Sequence, residues 1–266
     1  MSSKAIGMFD SGIGGLTVFK EIKKLLPGED IVYFGDTARV PYGAKSKDTV
    51  IKFSIQNAGF LVNLDVKMIV VACNTSSSFS LPILKSRYNF PVLGVIEPGA
   101  QAAASITRKM RVGVIGTKAT ISSGVYEKEL KSLNPKIDVI SASCPLFVPL
   151  VEEGWLKGDV ARMIAKRYLK PFKNKGIDVI VLGCTHYPLL KPIIREVLGK
   201  DIAIIDSATE IAKVARRILY EEKIYNRKRG KGEYRFYVSD EPKPFKDIGS
   251  RFLGSEITNI KKIDIG

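Results

Sequence analysis

Two of the three cysteines in the 266-residue chain stand in matched surroundings, and the single histidine lies beside one of them. Cys73 ends an apolar run in "KMIVVACNTSS", and Cys184 ends another in "DVIVLGCTHYP", with His186 two positions on. A thiol placed after a strand and before a helix meets unpaired backbone N–H groups, which favour the thiolate and lower its pKa from about 8.5. Either cysteine by itself reads first as a buried structural thiol. Two at equivalent turns point instead to paired chemistry. Inverting a carbon that bears a weakly acidic proton needs a base on one face and an acid on the other. Both must be the same kind of group, because the reverse reaction exchanges their roles. Two thiols meet that requirement, and His186 with a carboxylate near each thiol would adjust their protonation. Cys144, in "SASCPLF", has no such counterpart and is expected to serve packing.

Other chemistries fit these residues less well. The two cysteines and His186 show neither C-x-x-C nor H-x-x-x-H spacing, so a structural zinc site is not expected. A Cys-His hydrolytic pair only two residues apart is poorly spaced and leaves Cys73 without a role. In "FDSGIGGLTVFKEI" the glycines fall at 12, 14 and 15, but Thr17 stands where a dinucleotide fingerprint needs its third glycine. Asp10 would moreover repel a pyrophosphate. That turn suits a small ligand whose amino group meets Asp10 and whose carboxylate meets backbone N–H groups. "PYGAKS" lacks the G-K-[ST] of a phosphate loop.

The elements that must position these residues alternate along the chain. Strand-like runs "AIGMFD", "DIVYFGD", "KMIVVACN", "PVLGVI", "RVGVIGT", "IDVISAS", "DVIVLGC" and "IAIIDS" are separated by amphipathic stretches such as "LTVFKEIKKLL" and "DVARMIAKRYLKPF". This order predicts an α/β fold with mainly parallel sheets. A weak internal repeat (buried strand, cysteine, nearby threonine, then a Leu/Pro-marked helix) divides it into two similar α/β domains facing each other across a cleft. The expected division is 1–97 plus 207–266 for the domain carrying Cys73, and 98–206 for the domain carrying Cys184. The C-terminal segment is expected to return to the first domain with a helix and a hairpin-like end, since about 60 residues would bury little core alone.

Hydrophobic residues make up 45% and charged residues 26%, a globular balance. No apolar run approaches the roughly 18 residues that span a bilayer, so no membrane partner is expected. The opening "MSSKAIGMFDSG" lacks the apolar core of a signal peptide, and three scattered cysteines make no disulfide framework. The chain is expected in the cytoplasm with its thiols reduced. A net charge of +15 raises nucleic acid as a partner. The basic residues are spread out, however, and the densest stretch, Glu221 to Arg235, reads as a loop without any nucleic-acid motif. A solvated basic surface is the expected reading.

The motifs "GMFDSGIGGLTV", "YFGDTARVPYG", "VACNTSS", "GVIEPGA", "GVIGTKAT", "CPLFVPLVEEG" and "LGCTHYPLL" resemble those of the glutamate racemases, in the cofactor-independent aspartate/glutamate racemase superfamily. The resemblance covers essentially the whole chain. It implies a glutamate substrate, no cofactor, supply of D-glutamate for peptidoglycan, and a homodimer. By it, Cys73 serves the D-enantiomer and Cys184 the L-enantiomer, with Asp10 near Cys73 and His186 with Glu152 near Cys184. Glu153 is an alternative owner of the Glu152 role. Implied substrate contacts are Asp10, Ser11, Tyr42, Gly43, Asn74, Thr75, Thr117, Thr120, Thr185 and His186, with Asp36 supporting them from behind. An aspartate racemase with a different side-chain pocket would share the same two thiols. A nucleic-acid-binding or regulatory protein is the alternative from another class, and a pyridoxal-phosphate racemase a third.

Overall fold

The computed structural model of the protein describes residues 3–226 and 230–265. The chain begins with β1 (Ile6–Asp10), α1 (Leu16–Leu25), β2 (Ile31–Gly35), α2 (Lys47–Asn63), β3 (Met68–Val71), α3 (Asn74–Arg87), β4 (Val92–Gly94) and α4 (Ile96–Ile106). It continues with β5 (Arg111–Gly116), α5 (Lys118–Ser122), α6 (Val125–Leu133), β6 (Asp138–Ser143), α7 (Phe147–Glu152), α8 (Asp159–Leu169), β7 (Val179–Gly183), α9 (Lys191–Leu198) and β8 (Ala203–Asp206). Last come α10 (Ser207–Glu221), β9 (Tyr234–Val238), α11 (Pro242–Leu253) and β10 (Ile260–Lys262).

Two sheets result, ordered β10-β9-β2-β1-β3-β4 and β6-β5-β7-β8, and every recorded pairing is parallel. Strands such as "MIVV" in β3 and "VIVLG" in β7 are buried along their whole length, as central parallel strands covered on both faces must be. Helix α1 shows the complementary pattern. Leu16, Val18, Phe19 and Ile22 are buried, while Lys23 and Lys24 in its last turn face the carbonyl end, where positive charge is favoured.

Strand order reverses between β1 and β3 in the first sheet and between β5 and β7 in the second. The loops leaving the carboxyl ends at such a reversal diverge and open a crevice. Cys73 follows β3 and Cys184 follows β7, so each thiol sits at the reversal point of its own sheet. One hydrophobic core runs unbroken through both sheets, from Ile6 and Met8 through Leu93, Val95 and Ala100 to Val181, Ile205 and Leu219. A separate cluster, including Phe9, Phe34, Leu61 and Leu84, fills the outer face of the first sheet.

The C-terminal segment does return to the first sheet, but not as a hairpin. Strands β9 and β10 pair parallel, with α11 crossing between them. Parallel neighbours need such a crossover, because a short turn can join only antiparallel strands. The basic stretch from Glu221 to Arg235 connects α10 to β9, and Arg227, Lys228 and Arg229 within it lie outside the described residues. Among the described residues no helix is long and apolar enough to cross a membrane.

Candidate active site

The divergent loops enclose a cavity of about 430 Å3 between the two sheets. Ser11, Tyr42, Gly43, Cys73, Asn74 and Thr75 line it from the first sheet, and Thr117, Glu152, Cys184, Thr185 and His186 from the second. Two residues expected as substrate contacts, Asp10 and Thr120, do not line it, and Asp36 was expected behind it. Asp10 and Asp36 are fully buried behind the wall, and Thr120 stands behind Thr75 and Thr117. Among the described residues no group of three or more His, Cys, Asp or Glu side chains could hold a metal ion.

Cys73 caps α3: its Sγ accepts from the Ser76 backbone N–H at 3.5 Å and lies 3.6 Å from Ser11 Oγ. The helix terminus was expected to lower this thiol's pKa. The reverse holds. Burial and then the Asp10 carboxylate push it up to about 11, against the weaker opposing effect of Ser76 and Ser11. At neutral pH Cys73 is therefore a thiol, fit to donate a proton. Asp10 itself accepts from the Gly12 N–H at 2.9 Å. Burial raises its pKa, and the nearby His186 charge opposes that rise.

Cys184 does not stand directly before an α-helix, as its partner does. A 3-10 turn, Tyr187–Leu190, intervenes before α9. Its charge partner is instead a side chain, with His186 Nδ1 at 3.9 Å from Sγ. His186 Nε2 meets Glu152 Oε1 at 2.9 Å, so Glu152 holds the contact, and Glu153 lines a different surface hollow with Trp155 and Leu146. Burial works to lower the His186 pKa, but Cys184 and Glu152 outweigh it and bring the ring up to about 10. An imidazolium thus faces Cys184 at neutral pH, ready to stabilise negative charge on that sulfur. Cys144 is fully buried, and burial followed by the proximity of Cys184 pushes its thiol up to about 12, in keeping with packing.

Ile13, Val40, Pro41, Pro145, Val148 and Pro149 give the cavity apolar surface, and its polar groups are braced. Thr75, Thr117 and Thr120 form a triangle of hydroxyls with Oγ1 separations of 3.0, 3.1 and 3.0 Å, and Thr117 also caps α5. Tyr126 donates to Asn74 Oδ1 at 2.7 Å. The loop carrying Tyr42 and Gly43 is anchored on Asp36, which accepts from Tyr42, from Arg39 Nε at 2.7 Å and from Ser239 Oγ at 2.8 Å. Burial and then the Asp36 charge raise the Tyr42 pKa, so its hydroxyl stays a donor.

Over residues 6–215 the sequence matches the family described as Asp/Glu/Hydantoin racemase. The chain belongs to that family. The glutamate racemase of Geobacter metallireducens (strain ATCC 53774 / DSM 7210 / GS-15) is 50% identical over 265 residues, covering 100% of this chain and 98% of its own. Glutamate racemase from Francisella tularensis subsp. tularensis SCHU S4, solved in complex with D-glutamate, matches with a TM-score of 0.94 at 41% identity, over 100% of this chain and 99% of its own. The Thermus thermophilus enzyme, solved in complex with beta-chloro-D-alanine, gives 0.91 and 43%, over 99% and 98%. Similarity of this extent places the chain among the glutamate racemases.

Some residues of this racemase site were not singled out by sequence. A Cβ on Gly14 would lie 2.2 Å from Thr185 Oγ1 and 2.4 Å from His186 Nδ1, so only a glycine lets the β1 loop close on the Cys184 turn. Thr17, which breaks the dinucleotide pattern, donates its hydroxyl to the Thr185 carbonyl at 2.9 Å. The glycine run and the odd threonine were visible signals, but their partners lie some 170 positions away. Phe252 stands against His186, with ring centroids 5.5 Å apart and planes at 90°. No local pattern announces that contact.

Proposed function

We propose that this racemase interconverts L- and D-glutamate by proton transfer between Cys73 and Cys184, without metal or organic cofactor. The observation that carries the reading is that both thiols line one cavity, each from the reversal point of a different sheet. In the L-to-D direction Cys184, as thiolate, removes the α-proton. Cys73, held as a thiol by burial and Asp10, delivers a proton to the opposite face. The cycle ends with the roles exchanged, and solvent exchange restores the first state. His186, paired with Glu152, steadies charge on Cys184. Ser11, Tyr42, Gly43, Asn74, Thr75, Thr117, Thr185 and His186 hold the carboxylates and amino group, with Asp10, Thr120 and Asp36 acting from behind the wall.

We assign residues 1–97 with 207–266 to one domain and 98–206 to the other; the membership of the two sheets supports this, with the first boundary in the opening turn of α4. The physiological role is supply of D-glutamate for peptidoglycan, by a cytoplasmic homodimer. Solvent-deuterium incorporation at the α-carbon of each glutamate enantiomer, followed by proton NMR, tests the reaction. Turnover of L-aspartate in place of L-glutamate would overturn the substrate assignment, and loss of activity on chelation with recovery on adding zinc would overturn the cofactor assignment.

A further inference from the structure

Helix α11 is anchored on the first sheet, yet its last turn reaches the second. Near its start, Phe245 is buried against Tyr33 and Phe236, with ring centroids 5.8 and 6.3 Å away. One turn on, Gly249 is closed over by Ile257 and Leu16, whose methyl carbons would stand 2.6 and 2.7 Å from a Cβ there. These contacts make α11 a stiff arm. At its far end two consecutive residues touch both members of the Glu152–His186 pair. Phe252 is buried and packs perpendicular to the imidazole. Arg251 Nη2 donates to the Glu152 carbonyl at 2.6 Å. Its guanidinium also lies over Gly154, where a Cβ would come within 2.4 Å of Nη1.

Glu152 is the final residue of a six-residue helix, so its carbonyl is one of the terminal acceptors that no later turn of the helix can satisfy. Arg251 supplies the missing donor and fixes the end of α7. The imidazole is held on one side by Glu152 but only by a long contact to sulfur on the other. Phe252 sets its remaining freedom, the tilt of the ring, and screens it from water. Cys73 touches neither Arg251 nor Phe252: its neighbours are Asp10 at the end of β1, Ser11 just after it and Ser76 in the first turn of α3, and His186 reaches it only indirectly, through the charge of Asp10.

We propose that Arg251 and Phe252 are positioning residues that hold the Glu152–His186 pair against Cys184, so that the half-reaction at Cys184 depends on the C-terminal helix and the half-reaction at Cys73 does not. The inference rests on the two-thiol reading above.

Elimination from the two enantiomers of N-hydroxyglutamate reads each thiol separately. The thiolate takes the α-proton, the N–O bond breaks with departure of hydroxide, which leaves as water, and the imine hydrolyses to 2-oxoglutarate and ammonia. In Phe252→Ala and Arg251→Gln, elimination from the L-analogue should fall about tenfold or more while the D-analogue stays within about twofold, and Arg251→Lys should recover part of the loss. Arg251 is exposed, so Arg251→Gln carries the test should Phe252→Ala fail to fold. Equal losses with both enantiomers, or no loss with either, overturn the inference. Cys184→Ser, assayed alongside, separates the two levels. If it does not selectively silence the L-analogue, the two-thiol reading falls and takes the inference with it. If it does, and the helix variants leave that analogue intact, the inference alone is wrong.

Discussion

Asp10 and His186 approach as opposite charges from different sheets, although each stands beside a different thiol. Asp10 opposes ionisation of Cys73, while His186 offers positive charge to Cys184. The pair therefore favours the arrangement with the proton on Cys73 and gives the two sulfurs unlike surroundings.

A pH profile should carry this signature. Under the proposed mechanism kcat/KM for L-glutamate needs one thiolate and one thiol, so it should rise and then fall with pH, the two apparent values belonging to the coupled pair. Burial and Asp10 both raise Cys73, which pushes the descending limb of the coupled pair toward alkaline pH. Replacing Asp10 by Asn removes an anion that opposes the Cys73 thiolate. The limb should then move to lower pH, and a limb that stays in place or moves upward would refute the electrostatic account.

The thiols should not be interchangeable. A serine hydroxyl is far less acidic, so either Cys→Ser change should lower net racemisation by orders of magnitude. With the N-hydroxy analogues, Cys184→Ser should still process the D-form and Cys73→Ser the L-form. Identical enantiomer preference in the two variants would leave one cysteine as mere packing.

Gly14→Ala tests the closure of the β1 loop on the Cys184 turn. The new methyl must displace Thr185 Oγ1 and His186 Nδ1, both under 2.5 Å from it at 2.2 and 2.4 Å. Displacing groups beside the reacting sulfur by about 1 Å is expected to cost roughly 100-fold in kcat/KM. Wild-type kinetics in a folded Gly14→Ala enzyme would show that the loop has slack.

His186 should also leave a mark on stability. Its ordinary value is 6.5, and in the fold Cys184 and Glu152 outweigh burial to raise it to about 10. A raised folded-state value means the folded protein holds the proton more tightly. The resulting stabilisation is complete below pH 6.5 and is lost as pH climbs to about 10. The thermal midpoint of the wild type should decline more across that interval than that of His186→Asn. Parallel declines measured by calorimetry would rule the linkage out.

The central strands, such as β1, β3 and β7, were legible because buried parallel strands are continuous apolar runs, and both thiols were legible because two of those runs lead to them. Missing from that reading was α11. Its signals are local and were present: Pro242 in the first turn, Phe245, Gly249 and Phe252 inward at helical spacing, and Gly254 in the left-handed conformation at the end. What no local pattern carries is the partner of an inward residue, so Phe252 against His186 and Thr17 against Thr185 emerge only in three dimensions. The Cys73 proton affinity was misjudged for a related reason. A helix terminus is visible in sequence and Asp10 was expected nearby, but depth of burial is not legible there, and it is the largest of the effects that raise this thiol.

The hydrophobic core that passes unbroken from β1 through α4 to β8 and α10 has a consequence for how the molecule comes apart. Neither sheet can shed its half of that core without stripping apolar cover from the other, so melting couples the two lobes into a single cooperative event. A calorimetric trace should show one peak. Cys73 and Cys184, which end strands of different lobes, then become accessible to an alkylating reagent together on unfolding rather than in sequence.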